Sequence, residues 1–364
     1  MKALTTTARI IVSLCAMMAL CAASAGFAEE LRIMTYEGTT PPERLAEFTQ
    51  MVAAKYDIEL EIAVTYIADP SEYYKALKNK QVDLINAPHN TVKDPRYKYI
   101  RGKLILPLNL DNIPNYDDII PAFQKLDYAV ENGKVYAVPF LYAPYGLAYN
   151  AGLMPVPPDS WSVFWDPQYA GKYAIGSDYE QDIYITALAM GGVPDQLGQY
   201  DAVSSPEFLE KLTTLIQNAG DMWDGVDSAD VLQGKPFATA WGFSFADLKS
   251  RGEEWRMADP QEGTMGALGN WMISHTLAAQ PQLKQIAEEW LNYVISPDYQ
   301  LNHLVRKLST APTNMSIKDR MTPEEVTAFH LDDPEYFTTR LIPYPTLDSR
   351  SRKGFELLWK KAIR

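Results

Sequence analysis

The stretch LRIMTYEGTTPPERLAEFTQMVAAKYDIELEIAVTYI, residues 31–67, decides the fold class of this chain. Apolar and polar residues alternate over 31–38 and stop at a glycine, which predicts a β-strand. Segment 43–56 repeats its apolar side chains at helical spacing, and 60–67 is rich in β-branched residues, as strands are. The chain therefore begins with a strand, a helix and a second strand.

The next two segments continue the same order. SEYYKALKNK, residues 71–80, predicts a helix that starts at a serine, and VDLINAP, 82–88, predicts a third strand. A βαβαβ order is typical of α/β folds, in which helices cover a parallel sheet, and ligands bind beyond the carboxyl ends of its strands. Those predicted ends are Thr35–Gly38, Tyr66–Asp69 and Asn86–Asn90.

Later segments predict how the chain leaves this first unit and returns to it. KVYAVPFLYAPYGLAYN, 134–150, is apolar, aromatic and broken by two prolines, which suits a strand that crosses between two lobes. Residues 264–278 predict a second, returning strand, and 280–296 an amphipathic helix. Residues 204–220 predict a helix that begins at Ser205 before a proline and ends before a glycine.

The N-terminus has the pattern of a secretory signal. Lys2 and Arg9 precede an apolar run over 10–23, and the small residues that follow predict cleavage after Ala28, with export to the periplasm. Ala23-Ser24-Ala25 is a second candidate cleavage site. Both cysteines of the chain lie in this segment. Cys21 could instead carry a lipid anchor, although lipoprotein signals have a small residue where this chain has Leu20.

Length and charge limit the classes of function. The part of the chain after the signal exceeds one comfortable core of about 250–300 residues, which predicts two lobes. The net charge of −13 argues against nucleic acid as a partner, because nucleic-acid binders need a basic face. An acidic surface is compatible with a cationic solute, and it also keeps an exported protein soluble.

Motifs of catalysis are absent from the sequence. The four histidines form no HExxH pair, and there is no GxSxG elbow, Walker loop or GxGxxG. We therefore expect no catalytic residues, no metal site and no cofactor. An exported enzyme with scattered catalytic residues is the alternative.

The stretch GSDYEQDIYITALAMGG, residues 176–192, places three acids at the start of an apolar helix. Asp178, Glu180 and Asp182 could stabilise the helix end through its dipole and free amides, with Asp178 as the N-cap. They could equally hold a cation, since an ammonium in an apolar pocket needs a paired acid. The residues alone leave both interpretations open.

Several quoted segments together carry a family resemblance. SWSVFWDPQYAGKYAIGSDYEQD (160–182), GNWMISHTLA (269–278) and STAPTN (309–314) follow one another in an order that resembles the periplasmic solute-binding proteins of ABC importers. The spermidine/putrescine-binding group is the most similar, and the resemblance extends over nearly the whole mature chain.

This resemblance implies a two-lobed periplasmic binding protein of the type II-like α/β class. Each lobe would hold a mixed, mostly parallel sheet flanked by helices, and crossing hinge strands would join the lobes. We expect the signal at 1–28, lobe 1 at 29–142 plus 272–310, and lobe 2 at 143–271 plus 311–364.

The resemblance also implies which residues contact the ligand. In polyamine binders aromatic rings surround the aliphatic chain and carboxylates pair with the amino groups. The corresponding positions here are Tyr36, Asn90, Tyr142, Asp178, Gln181, Trp241, Trp271 and Thr310, and Glu37 beside Tyr36 is expected to contact the ligand as well. Among these, Tyr36, Trp241 and Trp271 would wall the ligand and Asp178 would neutralise it, whereas either tryptophan could equally be an ordinary core residue.

One departure from the polyamine group matters more than the others, such as Gln181 where that group can carry a second acid. Where that group has an acid that anchors an amino group, this chain has Ile273. Either Glu37 or Asp182 replaces that acid, or the ligand has only one cationic end. Apart from such a replacement, Glu180 and Asp182 are expected to be helix-end charges.

We therefore expect a non-enzymatic, monomeric periplasmic receptor that closes around a small cationic solute and delivers it to an ABC permease in the inner membrane. A polyamine such as putrescine or spermidine is the favoured ligand. The alternatives are another solute, such as an amino-acid-like compound or a phosphonate, and a sensing rather than an importing role.

Overall fold

The computed structural model describes residues 28–67, 70–333 and 335–364. The predicted signal segment lies outside the described residues, except for Ala28. The strands are β1 (Glu29–Thr35), β2 (Leu60–Tyr66), β3 (Leu84–Pro88), β4 (Val130–Glu131), β5 (Lys134–Val135), β6 (Val138–Asn150), β7 (Tyr173–Gly176), β8 (Ala219–Trp223), β9 (Phe237–Ala240), β10 (Trp255–Met257), β11 (Thr264–Ile273), β12 (Ala311–Pro312) and β13 (Leu341–Pro343).

The helices have the following bounds: α1 (Pro42–Tyr56), α2 (Ser71–Lys78), α3 (His89–Lys93), α4 (Tyr179–Ala189), α5 (Pro206–Gln217), α6 (Ala229–Leu232), α7 (Phe245–Ser250), α8 (Pro281–Val294), α9 (Pro323–Ala328), α10 (Tyr336–Thr339) and α11 (Ser349–Ala362). A π-helical segment, Tyr299–Val305, follows α8. Within the described residues, no helix has the length and apolarity needed to cross a membrane.

The predicted βαβαβ opening is confirmed. Strand β1 pairs in parallel with β2 on one side and with β3 on the other. The sheet continues in the order β2-β1-β3-β11-β6-β9-β7-β8, and β10, β12 and β13 join it at the side. The carboxyl ends of β1 and β3 therefore lie at one edge of the first lobe.

Strands β6 and β11 join the two lobes. They pair antiparallel from Met265 opposite Tyr145 to Trp271 opposite Val138, with an irregularity between Gly269 and Asn270. The first half of β6 lies in one hydrophobic core and its second half in another. The structure is thus the predicted two-lobed α/β fold with crossing strands.

The C-terminal part contributes to both cores. Phe337 packs in the first core with α1 and α8, whereas Ile342 and Phe355 pack in the second core around α4 and α5. The predicted lobe boundaries remain a prediction. This packing favours a chain that re-enters the second lobe only near β13. It does not favour the assignment of all of residues 311–364 to lobe 2.

Gly266 lies in the crossing strand β11, at the point where β6 pairs with it on one side and β13 on the other. A Cβ atom at this position would fall on Leu341 Cδ1 and on the ring of Tyr142, which is itself fully buried. The close approach of three strands at the hinge therefore requires a residue without a side chain.

Gly266→Ala is expected to lower the free energy of unfolding by about 1–3 kcal/mol, because the added methyl group overpacks the hinge. In an unobstructed strand the same change would stabilise the protein by roughly 0.5–1 kcal/mol. Urea unfolding followed by circular dichroism measures the difference. A midpoint equal to or above that of the wild type would contradict the packing described here.

Candidate ligand-binding cleft

The start of α4 lies at the carboxyl end of β7 and is capped by Asp178. One carboxylate oxygen of Asp178 accepts a hydrogen bond of 2.9 Å from the backbone N–H of Glu180. The helix-capping explanation of this acid is therefore confirmed. It does not exclude a second role, because the residue stays exposed at the helix end. Desolvation by the surrounding protein raises the pKa of Asp178 above its usual range, against the hydrogen bonds from the amides of Glu180 and Gln181.

Glu180 lies two residues farther and is largely covered by neighbouring groups. Burial, followed by the charge of Asp178, raises the pKa of Glu180 to about 7, although the guanidinium of Arg352 opposes the shift. Arg352 Nη1 is 3.8 Å from Glu180 Oε1, and the hydroxyl of Tyr184 donates to Oε2 at 3.3 Å. Glu180 thus changes its charge near neutral pH.

Asp182 is fully buried, which differs from the expectation of a helix-end charge. Its side chain has no exposed surface, and neither carboxylate oxygen has a hydrogen-bond partner among the described residues. The neighbouring Gln181 also has a buried, unpartnered Oε1. Burial, and next the charge of Asp178, raises the pKa of Asp182 well above its usual range.

Aromatic rings surround these acids. Trp241 follows β9, is half-buried and packs against the cores of both lobes. Its ring lies 5.1 Å from the ring of Tyr145 and 6.3 Å from that of Tyr344. Tyr344 in turn lies 5.8 Å from Tyr184, and its buried hydroxyl has no hydrogen-bond partner among the described residues.

A buried carboxylate fixes the loop that carries Trp241. Asp227 Oδ1 accepts hydrogen bonds from the backbone N–H groups of Trp241 at 2.8 Å and Gly242 at 3.2 Å. Its Oδ2 accepts from the N–H of Ser244 at 3.0 Å and from the hydroxyl of the same serine at 2.5 Å. Four hydrogen bonds to one side chain thus hold the backbone of residues 241–244, from which the Trp241 ring projects.

The first lobe places two of the predicted residues at the ends of its parallel strands. Tyr36 directly follows β1, and its ring meets that of Tyr73 edge to face at 6.2 Å. Asn90 lies in α3, directly after β3, and its Oδ1 accepts from the N–H of Thr91 at 3.1 Å. Glu37 is exposed to solvent beside Tyr36.

His89 ties α3 to the segment that carries Tyr344. Its Nδ1 accepts a hydrogen bond from the N–H of Leu268 at 3.0 Å, so its Nε2 carries the hydrogen that points at Tyr344 O, 3.2 Å away. Burial lowers the pKa of His89 to about 3, and the ring is neutral. This residue links the two lobes without adding a charge.

A guanidinium makes a second contact between the lobes. Arg352, in α11, lies 3.5 Å from Asp94 Oδ2 in the first lobe and 3.8 Å from Glu180 Oε1 in the second. Asp94 is also held by Arg96 through both of its oxygens. Carboxylates from both sides of the cleft therefore share one cation.

Three predicted residues do not join this cluster. Tyr142 is fully buried at the hinge, where its ring packs against Phe123 and Phe337. Thr310 is buried beside it and donates its hydroxyl hydrogen to Tyr142 O at 3.2 Å. Trp271 is fully buried in the core of the first lobe. Ligand contacts of these three remain predictions that the geometry does not favour.

Trp271 and Ile273 are explained by packing. The Trp271 ring lies 5.9 Å from Phe140 and 5.8 Å from Trp290 of α8, and Ile273 is buried in the same core. Since residues two apart in a strand face the same side, an acid at position 273 would be buried against α8. The isoleucine therefore does not by itself argue for a ligand with one cationic end.

An open groove of about 420 Å³ runs beside Tyr344 and is lined from the first lobe by Lys93. The Lys93 ammonium lies 5.3 Å from the centre of the Tyr128 ring, and within the described ranges no carboxylate comes within 4.0 Å of it. Burial lowers the pKa of Lys93, while the charge of Asp127 opposes the shift.

Sequence reasoning missed Tyr145, Tyr344 and Asp227 as parts of the site. The only local signal for either tyrosine was a neighbouring proline. Tyr145 follows Pro144 in the crossing strand β6, and Tyr344 stands between two prolines directly after β13. Asp227 lies in a segment without a periodic pattern. Among the described residues, no group of three or more His, Cys, Asp or Glu side chains is arranged to hold a metal ion.

Comparisons with known proteins agree with this architecture. Residues 43–338 match the family described as bacterial extracellular solute-binding protein. Over 361 residues the chain is 23% identical to a putrescine/cadaverine-binding protein of Pseudomonas aeruginosa, covering 93% of this chain and 94% of that protein.

Solved structures share the fold at lower identity. The spermidine/putrescine ABC transporter substrate-binding protein PotD of Streptococcus pneumoniae superposes with a TM-score of 0.73 at 15% identity, covering 92% of this chain and 99% of that one. The Atu4243–GABA receptor superposes with a TM-score of 0.65 at 16% identity, covering 92% and 98%.

The titration of Glu180 predicts how stability depends on pH. The folded-state pKa of about 7 lies above the ordinary 4.5, so the stabilisation from protonated Glu180 is complete below about pH 4.5 and is lost as pH rises through 7. Glu180→Gln should therefore be more stable than the wild type at pH 8, by about 1–3 kcal/mol, and equal to it near pH 4.5.

Urea unfolding of the unliganded protein at pH 4.5, 6.5 and 8 tests this expectation. Glu207→Gln, which changes an exposed acid in the first turn of α5, is the matched control and should gain no stability at pH 8. A Glu180→Gln protein that is less stable than the wild type at pH 8 would show that the pair with Arg352 outweighs the desolvation of the carboxylate.

Proposed function

The chain belongs to the family of bacterial extracellular solute-binding proteins, whose members bind small molecules for ABC importers and are not enzymes, and we propose that its solute is a small organic diamine. Putrescine and cadaverine are the favoured ligands, with spermidine as a longer relative. The protein would act outside the inner membrane and hand the solute to an ABC permease.

The observation that carries this proposal is the set of desolvated acids beside aromatic rings. Asp178, Glu180 and Asp182 all have raised pKa values, first of all through desolvation, although Asp178 keeps an exposed side chain. The charges of Asp178 and Glu180 act on Tyr344, whose ring lies 6.3 Å from that of Trp241. Desolvated carboxylates are stabilised by a paired cation, and ring faces bind both alkyl chains and ammonium groups. Together they suit a ligand with an apolar chain and cationic ends.

The relative from Pseudomonas aeruginosa supports the same class of ligand. Its name gives putrescine and cadaverine, which are unbranched diamines. The similarity extends over nearly the full length of both chains, so it includes the segments of both lobes that form the cleft. At 23% identity it supports the ligand class rather than one compound.

The protein would bind its solute by closure of the two lobes around it. Asp178 and Trp241 belong to the second lobe, while Tyr36 and Asn90 lie at the facing edge of the first. A solute that contacts both sides binds the closed arrangement more tightly, and its binding therefore shifts the lobes towards closure. The contacts of His89 and Arg352 across the cleft would stabilise the same arrangement.

A second candidate is a solute with one ammonium and one carboxylate. The observation that favours it is Lys93, whose ammonium lines the groove beside Tyr344 without a carboxylate within 4.0 Å in the described part of the chain. One structural neighbour is a GABA receptor, and GABA has these two charged groups. The acids of α4 would hold its ammonium, and Lys93 its carboxylate.

Asp178→Asn separates the helix-capping role of this residue from its proposed role as the partner of an ammonium group. Asparagine caps helices as well as aspartate does, so the variant should fold, but it lacks the charge that would pair with an ammonium. We expect putrescine to stabilise the wild type by about 2.7 kcal/mol at 100 times its dissociation constant. Asp178→Asn should weaken binding by about 10- to 100-fold.

Thermal shift and isothermal titration calorimetry with putrescine, cadaverine, spermidine and GABA measure these affinities. If GABA binds and Lys93→Met abolishes its binding, the second candidate replaces the first. If none of the four compounds binds the wild type, the ligand belongs to another chemical class.

The two predicted tryptophans provide a matched pair of variants. Trp241→Leu should weaken diamine binding by about 3- to 30-fold through loss of the ring face, with a small effect on stability. Trp271→Leu should lower the free energy of unfolding by about 2–4 kcal/mol and leave the affinity of the folded protein unchanged. Urea unfolding and calorimetry on both variants check the contrast. If Trp271→Leu lowered the affinity and Trp241→Leu did not, the ligand would lie on the face of β11 that carries Trp271.

A further inference from the structure

Asp182 is a buried acid for which the fold supplies no partner. It lies one helical turn after Asp178 in α4, it has no exposed surface, and both of its oxygens lack a hydrogen-bond partner among the described residues. It is therefore neither a capping residue nor a solvated surface charge.

The groups that face Asp182 explain why it has no partner. The titratable neighbours are Asp178 on its own helix, Tyr145 from β6 and Tyr173 from β7. Tyr145 donates its hydroxyl hydrogen to Thr239 Oγ1 at 2.7 Å, and Tyr173 donates to Leu215 O at 2.7 Å. Both hydroxyl hydrogens are thus used elsewhere, and among the described residues no lysine, arginine or histidine lies within 4.0 Å of Asp182.

An isolated buried carboxylate avoids its charge by keeping its proton. In the unliganded protein burial favours the neutral form of Asp182, and the negative charge of Asp178 next to it adds to that effect. An ammonium that pairs with Asp178 would offset this repulsion, because its positive charge would lie within about one helical turn of Asp182. Loss of the repulsion favours the carboxylate form.

We propose that Asp182 exchanges its proton for the cation: it is a neutral acid while the cleft is empty and releases its proton to solvent when an organic ammonium binds beside Asp178. This inference rests on the proposed function. The O–H bond of the carboxyl group breaks, its electron pair stays on the oxygen, and the ligand keeps all of its protons. Asp182 then carries a second negative charge, one helical turn from Asp178.

Proton release from Asp182 would favour cationic solutes over neutral ones. A neutral solute could not compensate the desolvation of an Asp182 carboxylate, so the acid would stay protonated and the cleft would carry less negative charge. When a cation binds, Asp182 would release its proton and become the carboxylate that balances the positive charge. The affinity for diamines should therefore rise with pH over the range in which the unliganded Asp182 is protonated.

Proton counting during titration tests the proposal directly. The mature protein is titrated with putrescine dihydrochloride in a pH-stat at pH 7 without buffer, and the base needed to hold the pH gives the protons released per site. We expect the wild type to release protons, and Asp182→Asn, which has the shape of the neutral acid, to release about one fewer per site while still binding.

Glu180 has a pKa of about 7, at the pH of the titration, and its variant is therefore the matched control. Glu180→Gln should retain the share of the release that belongs to Asp182. Asp182→Asn should also bind putrescine several-fold more weakly than the wild type at pH 8 and nearly as well at pH 5.5. If Asp182→Asn does not fold, release from Glu180→Gln alone decides the question.

The outcomes separate this inference from the proposed function. Binding of putrescine to the wild type without any proton release would overturn the role of Asp182 and leave the diamine receptor intact. Equal release from the wild type and from Asp182→Asn would overturn it as well. Absence of binding for putrescine, cadaverine and spermidine alike would instead refute the proposed function itself.

Discussion

The antiparallel pairing of β6 with β11 is the constraint on which the rest of the structure depends. The two strands run through both lobes, so one sheet connects the two cores rather than a flexible linker. Their hydrogen bonds restrict the relative motion of the lobes to bending and twisting about these strands. Gly266 allows β13 and the ring of Tyr142 to approach at this point, which ties the C-terminal segment to the same hinge.

This hinge brings together groups that are far apart in the sequence. The segment after β13 delivers Tyr344 and Arg352 to the start of α4, where the acids lie. From the other lobe, α3 and the residues after it deliver His89 and Asp94 to the same place. The cleft is thus formed by parts of the chain that each follow the end of a strand, as expected for α/β sheets.

The acids of α4 reduce the stability of the unliganded protein. Three carboxylates with raised pKa values lie within five residues, and the two carboxylate oxygens of Asp182 have no hydrogen-bond partner among the described residues. Such strain is common at binding sites, since groups that a ligand would satisfy are left unsatisfied without it. A bound cation would turn this destabilising feature into binding free energy.

The sequence by itself determined the local elements and the family. The alternation in 31–38, the helical spacing in 43–56 and the serine–proline start of α5 depend only on neighbouring residues, and all three were confirmed. The cap at Asp178 was predictable for the same reason, because an N-cap bonds within its own first turn.

The tertiary structure decided which side chains face the cleft. Trp241 and Trp271 look alike in the sequence, since each stands in a predicted strand beside small residues: Trp241 between Ala240 and Gly242, and Trp271 after Gly269-Asn270. Trp271 is buried against α8, while Trp241 lies between the lobes. A shift of one residue in the register of a strand moves its side chains to the opposite face. Strand β11 has an irregularity between Gly269 and Asn270, just before Trp271. A local pattern therefore could not determine which face carries Trp271. Tyr344, Asp227 and the burial of Asp182 likewise depend on contacts between distant segments, which no local sequence pattern encodes.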